Sequence, residues 1–218
     1  MKMTKTNKKV SIVQVILTVV FVSTFLISNI TSTKQMSLPF GITMPSAMLI
    51  FPITYILSDV FSEVYGYKWS RMTCYLAFAM NLFMVSVFSI AIAMPHPEFW
   101  TNQEAFATVL GNTPRMLVAS LAAYVVGDLV NDRVFRKMKV KNDGTIKGFG
   151  WRALVSSFCG EVVDSAIFYP VAFLGQMPVK TLVTMGICQV LIKISYEIVI
   201  LPVTTHIVKK LNKYEAEV

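Results

Sequence analysis

Apolar runs alternate with short polar stretches along the chain, at about 11–31, 46–66, 72–94, 115–131, 153–174 and 179–208. Each is long enough for a membrane-spanning helix, which needs about 17–25 mostly apolar residues. The pattern predicts an all-α membrane protein, a bundle of six transmembrane helices in which residues 1–218 form one domain. Residues 32–45, with Pro39, Gly41 and Pro45, read as a loop. Residues 98–114, with Trp100, Gly111 and Pro114, read as a longer polar connection with room for a short interfacial helix. Pro52 interrupts the second run near its start, Pro170 breaks the fifth, and Pro178 begins the sixth. The first run has a lysine-rich flank like a signal peptide. It is too long for a signal core, lacks a small-residue cleavage site and is followed by further spans, so it reads as a retained helix.

The charges orient these spans. With the amino terminus in the cytoplasm, the inner segments hold 16 of the 20 Lys and Arg residues and the outer segments hold three, Lys34, Arg115 and Lys180. The remaining one, Lys193, is within a span. That asymmetry places both termini in the cytoplasm and agrees with an even number of crossings. The chain is 55% hydrophobic and 15% charged, against about 25% charged in an average soluble domain, so a soluble fold is excluded. A net charge of +8 would suit nucleic acid, but the basic residues fall in short clusters between spans, so the expected surroundings are a lipid bilayer and no nucleic acid. Cys74, Cys159 and Cys188 lie in or beside apolar spans without a CxxC and read as small buried hydrophobes.

The stretch 51–67, FPITYILSDVFSEVYGY, breaks the apolar pattern. Asp59 and Glu63 are four residues apart on one helix face, with Tyr55 a turn before them. A carboxylate at membrane depth costs several kcal/mol, about 2.5–3.5 on insertion scales. The fifth span adds Glu161 and Asp164, with Ser165 and Phe168 continuing their face. The sixth places Gln189, Lys193 and Glu197 at successive i, i+4 positions, and Lys193–Glu197 could be an intrahelical pair that neutralises itself. Asn29 lies near the outer end of the first span; most other polar groups there read as helix-packing hydroxyls. In the predicted topology the second and fifth helices both put acids on the inner side of an aromatic–proline pair, Phe51-Pro52 and Tyr169-Pro170. That arrangement suggests two matched walls of one cavity, with a purely structural polar network as the alternative.

Such a cavity would repel anions. Carboxylates hold planar N–H edges or amines, aromatic rings such as Phe168 stack, and Gln189 and Asn29 supply amide groups. A flat nitrogen-rich heterocycle or a small cationic amine fits best. His96 and His206 fall outside the acid cluster, so no metal site, cofactor or catalytic residue is assigned, although oxygen-only ligation of Mg²⁺ or Ca²⁺ stays open. No P-loop, GxSxG or HExxH occurs, so the chain reads as a non-enzyme that works by a gradient, by facilitated diffusion or with a separate ATPase.

The segment FPITYILSDVFSEVYGYKWSR (51–71) resembles the signature of the queuosine precursor transporter family, also described as vitamin-uptake-transporter-like. The resemblance extends through Ser28-Asn29, Lys34, GDLVNDRVFRKMK (127–139), WRALVSSFCGEVVDSAIFYPVAFLG (151–175) and QVLIKISYEIVILP (189–202). It implies a six-helix inner-membrane importer of 7-deazaguanine derivatives: 7-cyano- or 7-aminomethyl-7-deazaguanine, queuine or queuosine. It carries substrate contacts onto Asp59, Glu63, Glu161, Asp164 and Glu197, with Lys193, Gln189 and Asn29 beside them. Many members read Gln-x-x-Asp where this chain has Glu161-Val-Val-Asp164, and the extra acid would favour the cationic aminomethyl cargo. A substrate-capture subunit of an ATPase-driven vitamin importer fits the same size, and a homo-oligomer is compatible with the sequence.

Overall fold

The computed structural model describes residues 10–141 and 149–217. Lys2, Lys5, Lys8, Lys9 and Lys147, which entered the orientation argument, lie outside the described residues. Helix α1 (Ile12–Thr31) starts at Ser11, whose Oγ accepts from the Gln14 amide at 3.1 Å and so occupies one of the four free N–H groups of the first turn. The loop that follows holds a small antiparallel hairpin, β1 (Gln35–Ser37) and β2 (Thr43–Pro45), with Met36 opposite Met44. Met44 is fully buried among Met116, Tyr169, Phe173 and Met185. Met36, Leu38 and Ile42 pack against the same cluster, so the segment expected as a loop is pinned to the bundle by its apolar side chains.

The second apolar run is not a continuous α-helix. A 3₁₀ turn at Ser46–Leu49 leads into α2 (Phe51–Val60), a π-helical turn covers Phe61–Tyr65, and Gly66 follows at φ 85°. Pro52 falls in the first turn of α2, where a missing N–H costs little. Gly66 takes a positive φ that a residue with a Cβ would adopt only with strain. Then come α3 (Tyr67–Ala93), the short α4 (Gln103–Leu110), α5 (Thr113–Lys141), α6 (Phe149–Phe173) and α7 (Val179–Glu217).

Among the described residues, four stretches are long and apolar enough to cross a membrane: Ile12–Thr31, Tyr67–Ala93, Gln103–Asn131, which takes in α4, and Val179–Ile200. The chain is thus an all-α membrane protein, apart from the small hairpin. Helix α2 differs from these four in having only ten α-helical residues. Helix α7 outruns its expected span: 39 residues reach about 58 Å, twice a hydrocarbon core of ~30 Å. Neither Gly nor Pro follows Pro202, so no backbone signal stops the helix there. At the far end of α7, Glu215 Oε1 accepts from Ser11 Oγ at 2.5 Å and from the Tyr65 hydroxyl at 2.8 Å. The start of α1 and the end of α7 therefore share one end of the bundle.

Candidate functional site

Helices α5 and α6 come close together at two glycines. A Cβ on Gly127 would lie 3.1 Å from the Gly160 carbonyl oxygen and 3.2 Å from the Asp164 Cβ. A Cβ on Gly160 would lie 3.1 Å from the Asn131 Cβ. The absence of side chains at this crossing lets the backbones touch, as small residues do in membrane helix pairs. It also brings the acids next to these glycines, Asp128 and Glu161, toward one space. At the opposite end of α6, Arg115 donates to the Val171 and Leu174 carbonyls at 2.6 Å each, capping a helix end whose carbonyls have no partner in their own helix.

Inside the bundle is a cavity of about 350 Å³. Its walls include Phe51, Thr54 and Ser58 of α2, Tyr124, Asp128 and Asn131 of α5, Glu161, Asp164 and Phe168 of α6, and Gln189 and Lys193 of α7. Lys193 is buried, with its side chain 7% exposed. Its ammonium donates to Glu161 Oε2 and lies 3.3 Å from Asp164 Oδ2. It also sits 5.6 Å from the centre of the Phe51 ring, within cation–π range. The lysine thus links α7 to α6 and α2, beyond the pairing within one helix weighed from the sequence. A buried ammonium without a carboxylate would be costly, which accounts for both acids facing it.

The Tyr169 hydroxyl donates to Gln189 Oε1, and the Tyr169 ring is buried in the apolar cluster around Met44. With Oε1 engaged, what Gln189 has left to give is its amide N–H₂. Tyr169 stands behind the cavity wall, while Phe51 of the other aromatic–proline pair lines it.

The sequence-derived residues divide into groups. Glu161, Asp164, Phe168, Gln189 and Lys193 meet in the cavity. Asp59 of α2 and Glu63 of the π-helical turn after it do not line it; both are exposed. Their spacing places them on one face, and the packing of α2 turns an adjacent face toward the cavity. Asn29 is buried but is not a cavity wall, donating from its Nδ2 to Asn81 Oδ1 at 2.7 Å across α1 and α3. The side chains of Tyr55 and Glu197 lie outside the described residues. Among the described residues no group of His, Cys, Asp and Glu could hold a metal, and the three cysteines are free.

Sequence reasoning missed Asp128, Tyr124 and Asn131 as cavity walls. The available signal was small residues four apart, Ala123 and Gly127 on α5 and Ser156 and Gly160 on α6, which marks a close helix crossing beside Asp128.

Comparison with known proteins gives two relations. The sequence model of the family described as "Putative vitamin uptake transporter" matches residues 45–207. The chain is 24% identical over 185 residues to a protein of Bacillus subtilis (strain 168) named "Probable queuosine precursor transporter", covering 80% of this chain and 76% of that one. No solved structure matches.

Proposed function

Because this chain belongs to the vitamin uptake transporter family, we propose that it imports queuosine precursors of the 7-deazaguanine type across the cytoplasmic membrane. The observation that carries this reading is the cavity in which Glu161, Asp164, Lys193 and Gln189 meet the rings of Phe51 and Phe168. A guanine-like edge presents adjacent N–H donors that a carboxylate can accept, and its carbonyl suits an ammonium or amide donor. Its flat ring stacks on Phe or Tyr. At about 350 Å³ the cavity sits at the lower end of the roughly 300–1,000 Å³ found for small-molecule sites, which favours a free base over a nucleoside. The name of the Bacillus subtilis relative supports the same cargo class.

In this reading α2 and α6 complete six crossings, with both chain ends in the cytoplasm. The meeting of Ser11 and Glu215 at one end of the bundle supports an even number. The skewed distribution of Lys and Arg supports the orientation.

The test is salvage. A bacterial strain unable to make the precursor, given low external 7-cyano- or 7-aminomethyl-7-deazaguanine, regains queuosine in its tRNA when it carries this gene. Asp164→Asn removes the rescue while the protein still inserts. Full rescue by Asp164→Asn sinks the site assignment, and no rescue by the natural chain with any precursor sinks the cargo.

A further inference from the structure

The cavity has a third carboxylate, Asp128 of α5, next to Gly127 at the crossing with α6. Asp128 lines the cavity, and its Oδ2 accepts from Arg71 Nη2 at 2.6 Å. Arg71 itself is not a cavity wall, although Ser70 and Cys74, which flank it on α3, are. The guanidinium is held in turn, 5.0 Å from the centre of the Tyr67 ring. The arginine therefore grips Asp128 from behind. Among the described residues no donor reaches its other oxygen, Oδ1. Glu161 and Asp164 differ in this respect, because both face an ammonium that itself lines the cavity.

Tyr124, one helical turn before Asp128 on the same face, also lines the cavity, with its ring 5.4 Å from that of Phe78. Asn131, Ser120 and Ser157 supply further polar groups to the cavity. An aromatic ring and a carboxylate at i, i+4, the carboxylate fixed by a cation outside the cavity, form a seat for a planar ring with two adjacent N–H donors.

Resting on the proposed cargo class, we propose that Asp128 is the carboxylate that reads the 2-amino and ring N–H edge of the base, and that Arg71 is its positioning residue. Two parallel N–H donors span the two oxygens of one carboxylate. Oδ1 is open, and Oδ2 retains a lone pair beside the Arg71 bond. The substituent at the other end of the base then points to the Glu161, Asp164 and Lys193 cluster. Asp128 thus sets selectivity for the amino-pyrimidinone edge, and the α6–α7 cluster reads the variable side chain.

The experiment is equilibrium binding to the purified full chain in detergent. The probes are 7-cyano-7-deazaguanine and its analogue lacking the 2-amino group. The natural protein should prefer the 2-amino base by about tenfold or more, the scale of one hydrogen bond to a charged group. Asp128→Asn should collapse that ratio toward one. Arg71→Gln should reduce it, and Arg71→Lys should recover part of it, because a positioning role is graded where a purely structural one is not. Asp164→Asn should weaken both ligands alike and keep the ratio. A ratio preserved in Asp128→Asn overturns the assignment while leaving the cargo class intact. Failure of the natural protein to bind either probe overturns the cargo reading and this inference with it. If Asp128→Asn does not fold, Asp128→Glu decides: moving the carboxylate by one methylene should shrink the ratio, and an unchanged ratio overturns the assignment.

Discussion

Helices α2 and α6 carry the same chemistry with opposite outcomes. Each segment has two carboxylates on one face, Asp59 of α2 with Glu63 of the π-helical turn that follows it, and Glu161 with Asp164 of α6. On α6 the acids turn inward, onto Lys193. On α2 they turn outward, and Phe51, Thr54 and Ser58 face the cavity. The difference lies in what each helix packs against. Helix α6 is locked against α5 at Gly127 and Gly160, which fixes its rotation and presents 161, 164 and 168 to the interior. Helix α2 is ten residues between a 3₁₀ turn and a π-helical turn, and the buried Leu57, Val60 and Phe61 set its rotation. Spacing decides which residues share a face; the apolar neighbours decide where that face points.

Removing the cation should break this contrast most severely. Lys193→Met leaves Glu161 and Asp164 facing each other with no ammonium between them. Breaking a buried pair costs about 3–5 kcal/mol. The acids keep side-chain exposures of 23% and 26% toward the cavity, so the loss should fall at the low end. It should appear as a lowered unfolding midpoint in detergent, together with loss of uptake. The triple change Lys193→Met, Glu161→Gln and Asp164→Asn should restore most of the stability, since it removes all three charges, and should not restore uptake. A single mutant as stable as the natural chain would show that the cluster is not an ionic one.

Next in size is the crossing that orients α6. Gly160→Leu places a branched side chain where a single Cβ would already stand 3.1 Å from Asn131 and from the Gly127 carbonyl oxygen. Overpacking of this kind costs about 1–3 kcal/mol. The helices must separate or rotate, so the acid cluster is displaced as well. Thermal melts and 7-deazaguanine binding should both fall, and Gly160→Ala should be much milder, because a few tenths of an ångström accommodate it. Equal effects of Ala and Leu would argue against a close crossing.

Much of this was legible in the residues, and the gaps have physical causes. The six apolar runs and the acids inside them stand out, because hydropathy and the cost of a membrane carboxylate act on each residue alone. The lysine cluster was half visible: Gln189 and Lys193 share a stripe, but their partners on α6 depend on how two helices meet. Asp128 lies near the end of an apolar run, and nothing in its neighbours along the chain pairs it with Arg71, 57 residues earlier. The hairpin at 35–45 is hidden because its apolar residues, Met36, Leu38, Ile42 and Met44, are interrupted by Pro39, Gly41 and Pro45 and so read as a loop. The continuations of α5 and α7 were cut short because the span pattern ends where the apolar residues end, whereas a helix ends only where the backbone is broken.

The smallest effect sharpens the comparison most. Glu63→Gln and Asp164→Asn make the same chemical change, a carboxylate to its amide, on the two helices. Glu63 is exposed in the π-helical turn and stands outside the cavity walls. An exposed substitution of this type shifts stability by no more than about 0.5 kcal/mol, and a change of that size in a barrier alters a rate by about twofold. Uptake by Glu63→Gln should therefore stay within about twofold of the natural chain, while Asp164→Asn abolishes it. Asp59→Asn should fall nearer Glu63→Gln, since Asp59 shares the outward face. If Glu63→Gln and Asp59→Asn instead match Asp164→Asn, then α2 rotates during transport and brings its acids into the cavity. Its position between a 3₁₀ turn and a π-helical turn, with Gly66 at its base, would permit that motion. Cysteine cross-linking between positions 59 and 161 during turnover would separate that outcome from a remote structural effect, because only a rotated α2 brings the two side chains within disulfide reach.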